Sequence, residues 1–379
     1  MIYLDNAATT EISDEVLSEM MPYLKGLYAN PGAIYSSGIT ARKAVEDARE
    51  KVAAFFKCDS DQVVFTSGGS EGNNLVISGT KPFLSMTGKK KIISSLAEHE
   101  SVIKSVRDKY LFDGYECKFL RVTPAGKIDL SDLKNEMDDK SGLVSLMYVN
   151  NETGVTNDVY QIGEMCSEKG VLFHTDCVQA AGDIQLDVRK IGCDYATVSS
   201  HKIHGPKGIG AIYAKNKNTL RPIISGGDQQ EFGLRGGTEN VANIVGFGKA
   251  CEISMRDYEN NSAKIIMLKD AFVHDILAKI PGSFLNTRPY EKSKIVSVAI
   301  PGIDAQSLVI SIGDRVAISA GSACCAHSNE PSHVLKAMGI DDSIAGSTIR
   351  VSFSHTNSVE EVLSAVDLLS EEVDSIRHI

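Results

Sequence analysis

Short apolar runs alternate with longer amphipathic ones through the middle of this chain, and that alternation limits the fold more than any other feature. The runs at 62–66, 91–95, 143–150, 171–176, 195–199 and 208–213 read as strands. Between them, residues 42–56 place Ala44, Val45, Ala48, Val52, Ala53 and Phe56 along one helical face, and 70–78 and 160–169 read as further helices. Strand then helix, repeated, demands crossover connections and gives an α/β layer with a mostly parallel sheet covered on both faces. After about residue 250 the texture changes. A charged helical stretch at 261–280 ends in Pro281-Gly282. Strand-like 294–300, 316–319 and 348–354 follow, mixed with helices at 305–312, 332–338 and 359–376. That mixture predicts a smaller α+β domain, and 379 residues are enough for both.

Composition removes several classes. Apolar residues at 42% and charged residues at 23% exclude a disordered or collagen-like chain. No apolar run approaches the ~20 residues of a membrane span, and the start lacks the basic-then-apolar pattern of a secretory leader. A formal charge of −10 argues against direct binding to nucleic acid or an anionic membrane, though not against a local basic pocket. The eight cysteines include no CxxC and no zinc-finger spacing, so they read as reduced thiols in a cytoplasmic protein. Most should be buried small hydrophobes. The adjacent pair Cys324-Cys325, flanked by small and polar residues, is the exception.

Ligands of α/β sheets sit at the C-terminal ends of strands, so the residues after each strand carry the functional information. The first strand is followed by Thr66-Ser67-Gly68-Gly69-Ser70-Glu71-Gly72-Asn73-Asn74. Glycines let main-chain N–H groups approach closely, and a helix N-terminus favours a phosphate. Alone, this is equally a strand–turn–helix corner with a serine cap. Asp176 ends another strand, with Gln179 three residues on; by itself such a carboxylate is usually a cap or a metal ligand. Ser199-Ser200-His201-Lys202 ends a third, before a Gly-Pro turn where a lysine is ordinarily a surface group. A phosphate cup, a carboxylate and a lysine at three strand ends are together what pyridoxal phosphate requires: an amine for the aldehyde, an anion for the pyridine nitrogen, and a phosphate cradle.

These residues also carry a resemblance. The string resembles the fold-type I pyridoxal-phosphate enzymes of the class V aminotransferase family, and more narrowly the NifS/IscS-type cysteine desulfurases. It runs from Tyr3-Leu4-Asp5-Asn6-Ala7-Ala8-Thr9-Thr10 through Asn30-Pro31, the 66–74 cup, Glu98-His99 and Val149-Asn150-Asn151-Glu152-Thr153-Gly154. It continues in His174-Thr175-Asp176-Cys177-Val178-Gln179, the Lys202 segment to Gly208, Gly233-Leu234-Arg235 and Gly237-Thr238-Glu239-Asn240. It closes with Gly321-Ser322-Ala323-Cys324, Glu330-Pro331-Ser332-His333-Val334-Leu335 and Ile349-Arg350-Val351-Ser352. Each string is modest, but so many in one order are specific.

The resemblance implies a role for each residue. Lys202 would form the imine with pyridoxal 5′-phosphate and act as the base. Asp176 would keep the pyridine nitrogen protonated, Gln179 would bond the phenolic oxygen, and His99 would lie on the ring face. Gly69, Ser70, Ser199 and His201 would hold the phosphate, joined by Thr238 from a neighbouring subunit, so a homodimer is implied. Arg350 would fork the substrate carboxylate, with Asn151 as a further donor to the site. Cys324 would attack the sulfur of L-cysteine, keep it as a persulfide and pass it to a sulfur-acceptor protein, with L-alanine as the other product. Relatives of this type serve iron–sulfur assembly, tRNA thiolation and DNA phosphorothioation. The implied domains are 15–255 for cofactor binding, and 1–14 with 256–379 for the cysteine-bearing part.

Chemistry alone does not choose between Cys324 and Cys325; the family spacing selects Cys324, and Cys325 stands where Thr or Ser is commoner. Cys324, Cys325 and His327 make a poor metal site, because adjacent cysteines seldom satisfy tetrahedral geometry, so no metal is expected. Tyr35, Asp228-Gln229, Gly236, Ser200 and Gly69-Ser70 depart from the common pattern, and the loop after the cysteine resembles the longer-loop branch. Two rivals keep the fold: a selenocysteine lyase or an aminotransferase. A third is a non-catalytic scaffold, which the presence of both Lys202 and Asp176 disfavours.

Overall fold

The computed structural model describes residues 1–110, 114–227, 229–288, 292–321 and 331–378. Its strands are Ile2–Tyr3 (β1), Val63–Thr66 (β2), Lys91–Ser95 (β3), Glu116–Leu120 (β4), Ser141–Ser145 (β5), Leu172–Asp176 (β6), Tyr195–Ser199 (β7), Gly210–Ala214 (β8), Phe284–Leu285 (β9), Ile295–Ala299 (β10), Val316–Ala317 (β11) and Thr348–Ser352 (β12). Seven of them form one sheet in the order β2-β8-β7-β6-β5-β3-β4. Every neighbouring pair is parallel except the two made by β8. The expected mostly parallel sheet is therefore present, flanked by helices such as Ser36–Phe56, Gly69–Gly79 and Val159–Lys169.

Burial explains the composition of these strands. Every residue of β3, β5, β7 and β8 is buried, which is what a sheet covered on both faces requires. The outer strand β4 is half exposed, and its weak apolar pattern hid it from sequence reading. The other outer strand, β2, is fully buried. Its main chain is closed by a buried ion pair: Arg49 donates to the Val63 carbonyl at 3.0 Å, and Glu231 accepts the Phe65 N–H at 2.6 Å. Arg49 and Glu231 lie 2.8 Å apart. A salt bridge thus takes the place of a neighbouring strand at an edge that would otherwise invite pairing.

The last third folds as expected in kind. Strand β10 pairs antiparallel with β12 and β9, and β1 pairs parallel with β11. Boundaries moved by a few residues: the expected 143–150 strand ends at Ser145, and the 261–280 helix runs Tyr258–Lys279. A second core gathers Leu4, Leu268, Phe272, Val298, Leu308, Ile349, Phe353 and Val366, so the first residues pack with the last. Val334, Leu335 and Met338 belong to the larger core instead. The segment after residue 330 therefore crosses back onto the seven-stranded sheet's side.

Candidate active site

The site is assembled from strand ends. Beyond β2 the chain turns into the helix Gly69–Gly79 against β7 and β8. A Cβ on Gly69 would sit 2.7 Å from the Val178 side chain, so the close approach of the cup to the turn after β6 needs glycine there. Glu71 fixes the cup from below: it accepts the Ser67 N–H at 2.7 Å and pairs with Arg235 at 3.1 Å.

Asp176, the last residue of β6, is buried. One carboxylate oxygen accepts the Val178 N–H at 2.9 Å, and the other accepts the Asn73 amide at 2.7 Å. Asn73 also donates to the Ser101 hydroxyl at 2.9 Å, which lies 2.8 Å from His99 Nδ1. His99 Nδ1 accepts the Ser101 N–H as well, at 3.1 Å, so its proton belongs on Nε2. Burial lowers the His99 pKa, with Lys202 adding to this and Asp176 opposing it, and the ring is neutral. A hydrogen-bonded line thus runs from His99 through Ser101 and Asn73 to Asp176. Sequence reading missed Ser101 and gave Asn73 no role. The available signal was helical spacing, since Asn73 follows Ser70 by one turn.

Lys202 ends the 3₁₀ turn after β7. Its ammonium donates to the Ala7 and Ala8 carbonyls at 2.5 and 2.8 Å. His201 Nδ1 lies 3.1 Å from the Thr9 hydroxyl, and burial with the neighbouring Lys202 pushes its pKa down to about 4. The N-terminal segment therefore lines the site. Gln179 joins it too, donating to Ala7 O at 2.9 Å. Across the cleft Arg350 projects from the middle of β12, opposite Ser297. It donates to Asp5 at 2.8 Å, Ser319 Oγ at 3.0 Å and the Asn151 carbonyl at 2.9 Å.

One cavity of about 250 Å³ collects these groups: Gly69, Ser70, His99, Asn151, Asp176, Gln179, Ser199, His201, Lys202 and Arg350 all line it. Thr238 is exposed and does not line this cavity. Cys324, Cys325, His327 and Asp228 lie outside the described residues. The residues flanking the cysteine pair are held near the cleft. Ser319 touches Arg350, Ser332 donates to buried Glu152, and the His333 ring nitrogen Nε2 is 2.9 Å from the Glu98 carbonyl. Among the described residues no group of three or more metal-ligating side chains occurs, and no helix is long and apolar enough to cross a membrane.

The residues present fit pyridoxal phosphate. Gln179 Oε1, Asn151 Oδ1 and Arg350 Nε line the cavity or belong to residues that do, yet are buried without partners among the described residues. Asp176 is buried with two hydrogen-bond donors and no cation at ion-pair distance among the described residues, a place that a protonated ring nitrogen suits.

Comparison with known proteins agrees with this geometry. The aminotransferase class-V family profile matches residues 2–364. The cysteine desulfurase IscS of Rickettsia massiliae (strain Mtu5) is 40% identical over 382 residues, covering 100% of this chain and 92% of the relative. A solved NifS-like protein superposes with a TM-score of 0.92 at 32% identity, over 99% of each chain. A structure described as SspA in complex with cysteine gives 0.82 at 31% identity, over 94% of this chain and 100% of that one. A match over nearly the whole length, in profile, sequence and fold, places the chain in the class-V aminotransferase family, among the cysteine desulfurases of the NifS/IscS type.

Proposed function

We infer that the Lys202 cleft is where this pyridoxal-phosphate-dependent cysteine desulfurase takes sulfur from L-cysteine, moving it to Cys324 and leaving L-alanine. When bound, the cofactor supplies an electron-withdrawing ring that stabilises negative charge at the substrate's α-carbon. Lys202 would anchor it and would accept the Cα proton at Nζ. Asp176, held by Asn73 and the Val178 N–H, would pair with the ring nitrogen. His99 would lie against the ring, Gln179 would bond the phenolic oxygen, and Gly69 and Ser70, with Ser199 and His201, would hold the phosphate. Thr238 of the partner subunit completes the cradle, so the working unit is a homodimer.

Arg350 holds the substrate carboxylate by a two-pronged hydrogen bond, beside Asn151. Cys324, as thiolate, attacks the substrate sulfur. An S–S bond forms as the Cβ–S bond breaks, the electron pair stays with carbon, one proton taken up at Cβ gives the methyl group, and one returned to Cα completes alanine. The persulfide on Cys324 then passes to a sulfur-acceptor protein. What supports this reading is the convergence of Lys202, Asp176 and Arg350 on one cavity, with both flanks of the cysteine-bearing stretch anchored beside it.

The test is alanine release from L-cysteine by the cofactor-loaded chain, with and without a thiol reductant. Release should occur, accelerate with reductant, and vanish in Cys324→Ala. Equal turnover of that variant would overturn the role given to this thiol. A chain that takes up no cofactor and shows no visible absorption would instead support the scaffold.

A further inference from the structure

The turn that carries Lys202 is a single 3₁₀ turn, Ser200–Lys202, too short to satisfy its own carbonyls. The Ser200 carbonyl accepts the N–H groups of Ile203 and Gly205, at 3.0 and 3.1 Å. The His201 carbonyl accepts the N–H and hydroxyl of Thr10, at 2.9 and 3.0 Å. The Lys202 carbonyl accepts the ammonium of Lys294, at 3.0 Å. That ammonium comes from the residue just before β10, far along the chain.

Lys294 does not act alone. Its side chain is 5% exposed and that of Asp183 is 6% exposed, with Nζ and Oδ1 3.6 Å apart. The other Asp183 oxygen accepts the Lys294 main-chain N–H at 2.9 Å. Asp183 belongs to the turn after β6 that also carries Gln179, and its own N–H donates to the Ala180 carbonyl at 3.1 Å. On the other side, β10 pairs with β12, so Ser297 lies opposite Arg350, and the Lys294 carbonyl accepts the Phe353 N–H at 3.0 Å. One ammonium thus joins the turn of the reactive lysine, the turn of Gln179 and the strand pair that bears Arg350.

We propose that Lys294, fixed by Asp183, is a positioning residue of the desulfurase: it holds the Lys202 main chain, and with it the reactive amine, at its working separation from Arg350. The proposal rests on the reading of the Lys202 cleft given above. An ion pair kept only for stability could be exchanged for a neutral pair of similar volume at little cost. This one is bonded to the backbone of the residue that does the chemistry. The charged and titratable groups around it are Lys202, Lys269, which donates to the Ser293 carbonyl at 2.9 Å, Lys264, which donates to the His355 carbonyl at 2.6 Å, and the rings of His201, His204 and His355, whose pKa values burial lowers. Burial pushes the Asp183 carboxyl up, and Lys294 and Lys269 pull it back.

The experiment uses the full chain loaded with pyridoxal phosphate, in four forms: unmodified, Lys294→Met, Lys294→Arg, and the double variant Asp183→Asn with Lys294→Met. Four quantities are read: kcat and KM for L-cysteine, the pH midpoint of the cofactor's visible absorption without substrate, and Tm. Lys294→Met should lose roughly tenfold to a hundredfold in kcat, the loss a misplaced reactive group brings. Its midpoint should rise, because a positive charge near the amine is gone. Lys294→Arg should recover part of both. The double variant should regain Tm relative to Lys294→Met, since no lone buried carboxylate remains, yet keep the low kcat and the raised midpoint. If it regains kcat and midpoint together with Tm, the pair is only structural and the proposal is overturned. Wild-type kinetics and midpoint in Lys294→Met alone overturn it too. Failure of the unmodified chain to bind cofactor or release alanine breaks the desulfurase reading itself, and this proposal with it.

Discussion

The two walls of the cleft hold their charged groups in different ways. On the seven-stranded sheet, Asp176 sits at a strand end where an N–H and an amide donate to it and, among the described residues, no cation pairs with it. On the three-stranded sheet, Arg350 projects from mid-strand and already spends its guanidinium on Asp5, Ser319 and the Asn151 carbonyl. The first arrangement suits a group that arrives once and stays. The second suits a ligand that comes and goes, since a substrate carboxylate would replace Asp5 as partner and Asp5 would take Arg350 back when it left. The Arg350 Nε, buried with no partner among the described residues, is the donor such a ligand would gain outright. On the proposed reading, resident cofactor and passing substrate are divided between two sheets, with Lys202 on the first.

This division is most severely tested at Lys202. Lys202→Ala should lower alanine formation by about 10²–10⁴-fold, the range for removing a placed acid–base group. Added pyridoxal phosphate should still enter the cleft, because Asp176, Gln179 and the cup are untouched. Equilibrium dialysis of the variant measures that retained affinity, and its complete loss would mean the first wall is not built in advance. Arg350→Lys asks the opposite question. A point charge replaces a planar fork, so kcat/KM for L-cysteine should fall tenfold to a hundredfold, about 1.5–3 kcal/mol for charged hydrogen bonds. Cofactor absorption should not change. A shift in that absorption would show the two walls to be one.

The first wall was legible in the sequence and the second mostly was not. Asp176, Ser199 and Lys202 follow apolar runs whose ends are plain, and strand ends are where α/β sheets bind. Arg350 was reached only through resemblance, because a single arginine inside an apolar run carries no sign of what it faces. Asn73 and Ser101 were passed over for a related reason: their roles come from a line of side-chain hydrogen bonds that forms only when the helix Gly69–Gly79 and the helix Glu100–Tyr110 pack together. The Asp183–Lys294 pair spans more than a hundred positions, and no local pattern announces it. Strand β4 and the buried Arg49–Glu231 edge closure were hidden likewise, one by half exposure and one by distance along the chain.

A second buried carboxyl sharpens the same contrast through stability rather than activity. Glu98, next to His99, is fully buried; one oxygen accepts the Ser95 hydroxyl and the Met147 N–H, each at 3.0 Å, and the other has no partner among the described residues. No cation pairs with it among the described residues, and burial, with nearby Asp176 adding to it, pushes its pKa up to about 8. The unfolded carboxyl titrates near ~4.3. Between those values the folded chain holds a proton that the unfolded chain has released, so the contribution of Glu98 to stability is complete below the lower value. It falls as pH rises towards 8, by at most about 1.4 kcal/mol per unit, and stays flat beyond. Glu98→Gln keeps the shape and cannot ionise. Denaturant midpoints taken from pH 5 to 8 should therefore decline less steeply in the variant, which should overtake the unmodified chain at the alkaline end. Parallel declines would place a compensating cation beside Glu98, and the sheet would then hold its two buried carboxyls by the same means as the opposite wall holds Arg350.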